Sequence, residues 1–252
     1  MKNSALLYVL LAIPLFLLQS LTTASALTIP ERLVYDVSWT GIKAGTAVQE
    51  VSAQGGDLHI VSTAHSSGWL TPIFPVNDRT ESIISRDSAG TSFGTPKYYQ
   101  EKISEGKTNT HKECKFDPHN LKVETKDLLK KTEKTDTISS RTFDSLSSIY
   151  FVRVTSELVV GTSIFIDIYD CKRLWHTEVQ VVKREEISTP VGRFKTIVVK
   201  PLLKAEGFFA RTGDVTVWLS DDSLRIPVKM TTKLKLGKIT ALLTGGSYWP
   251  PQ

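Results

Sequence analysis

The chain has 252 residues, of which 40% are hydrophobic and 23% are charged. These fractions are typical of a globular protein, so they exclude a collagenous, coiled-coil or largely disordered chain. The formal net charge is +5. A surplus that small, spread over a chain of this length, argues against nucleic acid or another polyanion as the main partner.

The N-terminus has the pattern of a secretory signal peptide. Lys2 supplies the positive start, residues 5–18 are almost wholly apolar, and Ala24, Ser25 and Ala26 form a small-residue cleavage site. The apolar run is shorter than the roughly 20 residues that span a bilayer. We therefore predict cleavage after Ala26, export to the periplasm or secretion, and no membrane span in the mature chain. The remaining residues, 27–252, are predicted to form a single β-rich periplasmic domain.

The two cysteines, Cys114 and Cys171, fit an oxidising compartment if they form a disulfide. Such a bridge would close a loop of about 58 residues and contribute about 4 kcal/mol in the chain-entropy model. The alternative is two separate thiols, of which one is buried as a small hydrophobic side chain. The sequence does not decide between them, because it does not say whether the two positions meet.

Period-two alternation of apolar and polar residues recurs along almost the whole mature chain and predicts β-strands. Gly, Pro, Asn and Asp clusters separate the strands and predict turns. In chain order, the predicted strands cover residues 33–39, 46–51, 58–66, 77–86, 97–104, 107–116, 121–126, 164–169, 177–185, 194–200, 215–219, 226–236 and 239–243.

Helical spacing of apolar residues occurs only over residues 143–154, with Thr142 as the candidate N-cap. Residues 128–141 are charged and rich in Ser and Thr, and we predict an exposed linker there. About a dozen strands and one helix, without βαβ alternation, predict an all-β, mainly antiparallel fold. We expect a strongly curved sheet or barrel with the helix against its concave side. A two-sheet β-sandwich is the alternative.

Catalytic and metal-binding patterns are weak in this sequence. The string from Gly90 to Gly94 matches the G-x-S-x-G pattern around Ser92, but that elbow needs a helix after the serine. Pro96 and a predicted strand follow instead, so we predict a turn and assign no catalytic residue. None of the five histidines has the spacing of a zinc site. Since no dinucleotide fingerprint is present either, we predict no metal and no cofactor.

Aromatic and lysine side chains are the best candidates for contacts with a ligand. Inward-facing aromatic residues line a pocket when a curved sheet is roomy and fill the core when it is tight. The alternation of residues 226–236 places several lysines on one face, which could meet an anionic lipid surface or be a solvated strand face. The aromatic candidates are Trp39, Trp69, Phe74 and Trp218, and the lysine candidates are Lys229, Lys233 and Lys235.

Three stretches carry a resemblance to a known family. They are ERLVYDVSWTGIKAGT at residues 31–46, TPVGRF at 189–194, and VTVWLSDD at 215–222, which continues into RIPV at 225–228. In these motifs and their order the chain resembles the exported bacterial family catalogued as domain of unknown function 3108, over residues 31–244. The resemblance implies a signal peptide and a β-rich periplasmic domain. It supplies no catalytic residues.

The predicted export, the predicted sheet and the aromatic content together favour a non-catalytic periplasmic protein. We expect it to bind or carry an apolar ligand, such as a lipid or glycolipid, in the cell envelope. The alternatives are an envelope structural or protein-interaction module and, with less support, a hydrolase of envelope polymers. A carrier requires a continuous apolar cavity of at least roughly 300 Å³.

Overall fold

The structure is a computed structural model that describes residues 27–86, 93–155, 157–203, 215–234 and 237–249. These residues form 15 strands and one helix, and all 15 strands belong to one sheet. In chain order the elements are β1 (Glu31–Trp39), β2 (Ile42–Gln54), β3 (Asp57–Ser66), β4 (Asn77–Arg86), β5 (Phe93–Glu105), β6 (Thr108–Asp117), β7 (Lys122–Asp127), β8 (Thr132–Thr137), β9 (Thr142–Asp144), α1 (Ser147–Val154), β10 (Ser163–Tyr169), β11 (Leu174–Thr189), β12 (Gly192–Leu203), β13 (Val215–Ser220), β14 (Pro227–Leu234) and β15 (Gly237–Gly246).

Almost every strand pairs with its neighbours in the chain. The exception is the pair of β1 with β15. It joins the half of the sheet that contains β1 to β8 to the half that contains β9 to β15. All pairs are antiparallel except β9 with β10, which is parallel. The prediction of a mainly antiparallel, strongly curved sheet is therefore confirmed. The sandwich alternative is wrong, because the described strands are hydrogen-bonded into a single sheet.

The sheet curves until its two halves touch. Cys114 on β6 and Cys171, after β10, are joined by a disulfide. Beside it, the Tyr169 and Thr125 hydroxyl oxygens are 2.9 Å apart, and the Tyr169 hydroxyl also donates to the Asp136 carboxylate on β8. Strands at opposite positions in the sheet order are therefore held together by covalent and polar contacts.

The core follows the alternation of the strands. On β1, Leu33 and Tyr35 are completely buried, whereas Arg32 just before them is exposed and Val34 between them is only partly buried. Ile60 on β3 and Ile84 on β4 are also completely buried and pack in the cluster that surrounds the disulfide. Because successive strand side chains point to opposite faces, one face of each strand supplies the core.

Two local predictions are wrong. The helix starts at Ser147 rather than at residue 143, because Thr142–Asp144 pairs in parallel with β10. The predicted linker at 128–141 contains strand β8, which pairs along its whole length with β7. Its side chains are almost all exposed, so backbone hydrogen bonding rather than apolar burial defines this strand. No helix in the described ranges has both the length and the apolar character needed to cross a membrane.

Candidate functional site

An apolar cleft of about 490 Å³ lies between α1 and one face of strands β10 to β14. The helix side is formed by Ser148, Ile149 and Val152, with Ser145 just before the helix. The strand side is formed mostly by aliphatic residues: Ile166, Ile168, Asp170, Trp175, Val179, Val199, Pro201, Val215, Val217, Leu219, Met230 and Thr232. We refer to this space as the cleft.

Strand alternation explains why these residues share the cleft. On β13, Val215, Val217 and Leu219 are two residues apart and therefore lie on one face. Trp218 between them lies on the other face, where its indole N–H donates to Glu185 at 2.6 Å. The same rule places Met230 and Thr232 together on β14.

The first end of α1 is fixed by Asp144. One carboxylate oxygen, Oδ1, accepts the backbone N–H groups of Leu146 at 2.9 Å and Ser147 at 2.8 Å. The other oxygen accepts the hydroxyl of Ser82 on β4 at 2.6 Å. Burial raises the pKa of the Asp144 carboxyl, and these hydrogen bonds partly offset the rise. Asp144, rather than the predicted Thr142, therefore satisfies the free N–H groups at the helix start.

The other end of α1 is fixed by Arg153. Its guanidinium donates to both carboxylate oxygens of Glu31, at 2.6 and 2.7 Å, and to the carbonyl of Leu224 at 3.2 Å. The two charged side chains are 1% and 0% exposed. Burial acts to lower the pKa of Arg153, but the hydrogen bonds and charge of Glu31 outweigh it and raise the pKa. Side-chain hydrogen bonds therefore tie both ends of the helix to strands of the sheet, β4 through Asp144 and β1 through Arg153.

A polar group of residues closes one end of the cleft, where β10 meets β11. The Trp175 indole N–H donates to Asp170 Oδ2 at 2.9 Å, and the guanidinium of Arg173 lies 3.7 Å from the centre of the Trp175 ring. Asp170 Oδ1 also accepts the backbone N–H groups of Lys172 and Arg173, both at 2.9 Å. The cleft therefore combines an aliphatic interior with one end that carries the Asp170 carboxylate, and the Arg173 guanidinium lies beside that end against the Trp175 ring.

A second, smaller cleft of about 380 Å³ lies beside β9 and β10, between Phe143 and Phe151 on one side and Phe165 on the other. His176 Nδ1 lies 2.6 Å from Asp167 Oδ1 at its edge. A hydrolytic triad also needs a hydroxyl or thiol hydrogen-bonded to the histidine. Among the described residues, no serine, threonine or cysteine makes that contact.

The predicted aromatic contact residues do not line the cleft in the described part of the chain. Trp39 ends β1, and Trp69 and Phe74 lie in the loop between β3 and β4, all three partly exposed at the same end of the sheet. Trp218 lies on the face of β13 opposite the cleft. The structure thus brings three of the four together on a surface, and a ligand role for any of them stays a prediction.

The predicted lysine stripe is only partly within the described residues. Lys229 Nζ lies 4.6 Å from the centre of the Trp218 ring, and burial followed by the charge of Lys238 lowers its pKa. Lys233 is exposed near the end of β14. Lys235 lies outside the described residues, as does Ser92 of the G-x-S-x-G string, for which a turn is predicted.

Sequence reasoning found the strands that line the cleft but not the cleft itself. The aliphatic residues Ile149, Val217 and Met230 have the same alternation or helical spacing as ordinary core residues. What distinguishes them is that they all face the cleft between the helix and the sheet. That cannot be predicted without knowing how the sheet curves. Within the described ranges, no group of three or more His, Cys, Asp or Glu side chains is placed to hold a metal ion.

Two solved structures align with most of the chain. A β-barrel-like protein of domain of unknown function DUF1849 from Brucella abortus matches 88% of this chain and 98% of its own, with 13% identity and a TM-score of 0.58. At that identity the likeness shows the fold alone. A Bacteroides fragilis protein with a YmcC-like fold matches 88% of this chain and 97% of its own, with 10% identity and a TM-score of 0.33, too low to support an argument.

Sequence comparison gives the family. No curated protein matches the chain. The model of one protein family matches residues 34–244, from the first strand to the last. That span includes every strand that lines the cleft, and it includes Arg153 but not Glu31. The chain therefore belongs to the family described as protein of unknown function DUF3108.

Proposed function

We propose that this protein is a non-catalytic binding protein of the bacterial cell envelope, and that the cleft holds the apolar chain of a lipid or glycolipid. The observation that carries the proposal is the cleft, with its volume of about 490 Å³ and its mostly aliphatic lining. Its volume lies in the range of small-molecule sites, roughly 300 to 1,000 Å³. An aliphatic wall favours a hydrocarbon ligand, because it offers few hydrogen-bond partners to a polar one.

The energetics favour a long chain over a small apolar molecule. Burying one methylene group contributes about 0.8 kcal/mol, so affinity grows with the length of chain that enters the cleft. The polar end formed by Asp170, Trp175 and Arg173 then lies where a head group would emerge. A guanidinium and a carboxylate side by side suit a head group that has both donors and acceptors.

The proposal includes an exported protein with a single mature domain. Residues 1–26 have the signal-peptide pattern described above, and residues 27–252 contain all the described strands. The disulfide between Cys114 and Cys171 supports an oxidising compartment, because disulfides persist there and are rare in the cytosol. An envelope location would also give the protein access to lipid ligands.

Native mass spectrometry of protein purified without detergent tests the proposal. We expect a bound species of discrete mass that is removed by organic extraction and identified as a lipid. The variant Val215→Trp fills the cleft and should lose that species. The matched control, Val182→Trp, adds the same bulk at a half-exposed position of β11 outside the cleft and should keep it. Absence of any lipid from the native protein, also after incubation with lipid, would contradict the proposal.

A further inference from the structure

One end of the sheet carries a group of exposed apolar side chains that the cleft does not use. They lie on the β1–β2 turn, on the β3–β4 loop and at the end of β14. Their exposed fractions range from 39% for Trp39 to 75% for Ile73. We call this surface the Trp rim, and it consists of Trp39, Ile42, Trp69, Ile73, Phe74 and Leu234.

Hydrogen bonds hold the three segments of the Trp rim side by side. The Trp69 indole N–H donates to the carbonyl of Lys43 at 2.7 Å, which joins the β3–β4 loop to the start of β2. The backbone N–H of Thr40 donates to the carbonyl of Lys238 at 2.8 Å, which joins the β1–β2 turn to β15. These hydrogen bonds place the segments next to one another at this end of the sheet.

The opposite end of the sheet has a different composition. Among the described residues there, the exposed large hydrophobic side chains are Leu121, Val159 and Val160, and none of them is aromatic. Both half-exposed tryptophans and the exposed Phe74 lie on the Trp rim instead. Other exposed hydrophobic side chains lie outside the rim, namely Phe165 on β10, Val182 on β11, and Leu128 and Leu129 on the β7–β8 turn, but the rim has more of them than any of these places. A large exposed apolar patch marks an interaction surface.

Basic side chains surround the Trp rim. Lys43, Lys107, Lys233 and Lys238 lie on the turns that form it or border it, and all four are exposed. Three carboxylates offset part of this charge: Asp36 lies 2.7 Å from Lys43 Nζ, Asp78 follows the β3–β4 loop, and Glu105 pairs with Val76 of that loop. Four lysines against these three carboxylates leave a small positive surplus at the border of the apolar patch.

We propose that the Trp rim docks this protein on the surface of an anionic phospholipid bilayer. Indole rings prefer the head-group level of a bilayer, because they are apolar with one polar N–H. Lysines near an anionic membrane surface strengthen binding by roughly fivefold each. The combination of exposed Trp, Ile and Phe with a lysine border has the chemistry of that surface and not of a neutral, polar partner.

The position of the cleft agrees with docking in this orientation. Strands β10, β12 and β14 run in the same direction, and the β14 end belongs to the Trp rim. The cleft residues nearest that end, Asp170, Pro201 and Thr232, lie at or beside the ends of these strands. A docked molecule would turn the polar end of the cleft toward the bilayer. That the cleft carries a lipid rests on the proposed function, whereas the docking does not.

Flotation with phospholipid vesicles tests the proposal. One vesicle preparation contains phosphatidylcholine alone, and the other contains one-third phosphatidylglycerol. We expect the native protein to float with the anionic vesicles and to be released by high salt. A native protein that stays at the bottom with both, or floats equally with both, would overturn the proposal.

Paired variants distinguish binding through the Trp rim from non-specific hydrophobic adsorption to the vesicles. The double change Ile42→Ser with Ile73→Ser should lower binding to anionic vesicles at least about tenfold. Leu121→Ser with Val160→Ser removes similar side chains from the opposite end and should leave binding within about twofold. Equal losses in both variants, or no loss in the rim variant, would overturn the proposal, and circular dichroism confirms that each variant is folded.

A second pair tests the charge, and the cleft variant separates docking from cargo. Lys233→Gln with Lys238→Gln should lower binding by roughly twentyfold, whereas Lys122→Gln with Lys195→Gln at the opposite end should not. Val215→Trp should float like the native protein, since it alters only the cleft. If the native protein carries lipid but does not float, docking fails alone. If it floats but carries no lipid, the proposed function fails alone.

Discussion

Arg153 on α1 and Glu31 on β1 form a doubly hydrogen-bonded ion pair in the interior of the protein, although 122 residues separate them in the chain. Removing two charges from water is costly, and the cost is offset only if their remaining polar atoms are also bonded. Here the Tyr248 hydroxyl donates to Glu31 at 2.9 Å, and the carbonyl of Leu224 accepts from Arg153. The buried Nε of Arg153 has no hydrogen-bond partner, so the cost is offset only in part. The pair ties the helix, which forms one wall of the cleft, to strand β1.

Breaking this pair on one side should destabilise the fold strongly. Arg153→Met leaves the Glu31 carboxylate buried without its partner, so we expect a loss of about 3–5 kcal/mol in the free energy of unfolding. Urea denaturation measures it. The double variant Arg153→Met with Glu31→Leu leaves no lone charge and should lose less. A single variant that loses less than about 1 kcal/mol would show that the pair does not hold the helix.

The Asp144 carboxyl should make stability depend on pH. Because burial raises its folded pKa above the unfolded value, the native state holds this proton more tightly than the unfolded chain. Its contribution is therefore favourable at low pH and is lost as the pH rises through the folded pKa. Asp144→Asn stays neutral and keeps an oxygen that can accept the helix N–H groups.

The measurement is the free energy of unfolding of Asp144→Asn minus that of the native protein, from about pH 4 to about pH 7. We expect this difference to increase with pH. Asp117→Asn is the control, because the hydrogen bonds from Asn120 lower the pKa of Asp117 and its difference should therefore not increase with pH. A difference for Asp144→Asn that is flat or that decreases with pH would contradict the assignment.

Gly45 marks a close approach between β2 and β3. A Cβ at this position would lie 2.2 Å from the backbone carbonyl oxygen of His65, and a strand carbonyl cannot move aside cheaply. We expect Gly45→Ala to lower the free energy of unfolding by about 1–3 kcal/mol. Gly68→Ala is the matched control, because a Cβ there meets nothing within 4 Å. Thermal melts of equal midpoint would contradict the prediction.

The disulfide should stabilise the contact between the two halves of the sheet. It joins β6 to the turn after β10, across 57 residues of chain. Cys114→Ala with Cys171→Ala should lose about 2–4 kcal/mol in urea denaturation without reductant. The native protein with reductant should lose a similar amount, and the double variant should not respond to reductant. Equal stability of the native protein with and without reductant would refute this role.

Alternation was sufficient to predict most of the sheet but not its edges. The predicted strand at 77–86 has the same bounds as β4, and the strands of the C-terminal half differ by a few residues at their ends. Strands β8 and β9 were missed for a physical reason. The sequence TEKTDT of β8 has no apolar face, and β9 is only three residues long, so both are defined by backbone pairing with a neighbour.

The candidate site depends on how the sheet curves around the helix, and a sequence pattern does not contain that information. Alternation places Val217 and Trp218 on opposite faces, but it does not say which face meets the helix. Trp218 is predicted as a ligand contact because aromatic residues often line pockets. In the structure, smaller aliphatic residues line the cleft instead. Asp144 and Arg153 hold the two ends of the helix beside the cleft, and neither belongs to a recognisable motif.

Titration with a fluorescent long-chain fatty acid tests the central claim most directly. We predict saturable binding with one site for the native protein, at least about tenfold weaker binding for Val215→Trp, and unchanged binding for Val182→Trp. These variants differ only in whether the added indole enters the cleft. Binding that is absent from the native protein, or equally strong in Val215→Trp, would contradict the claim that the cleft is a ligand site.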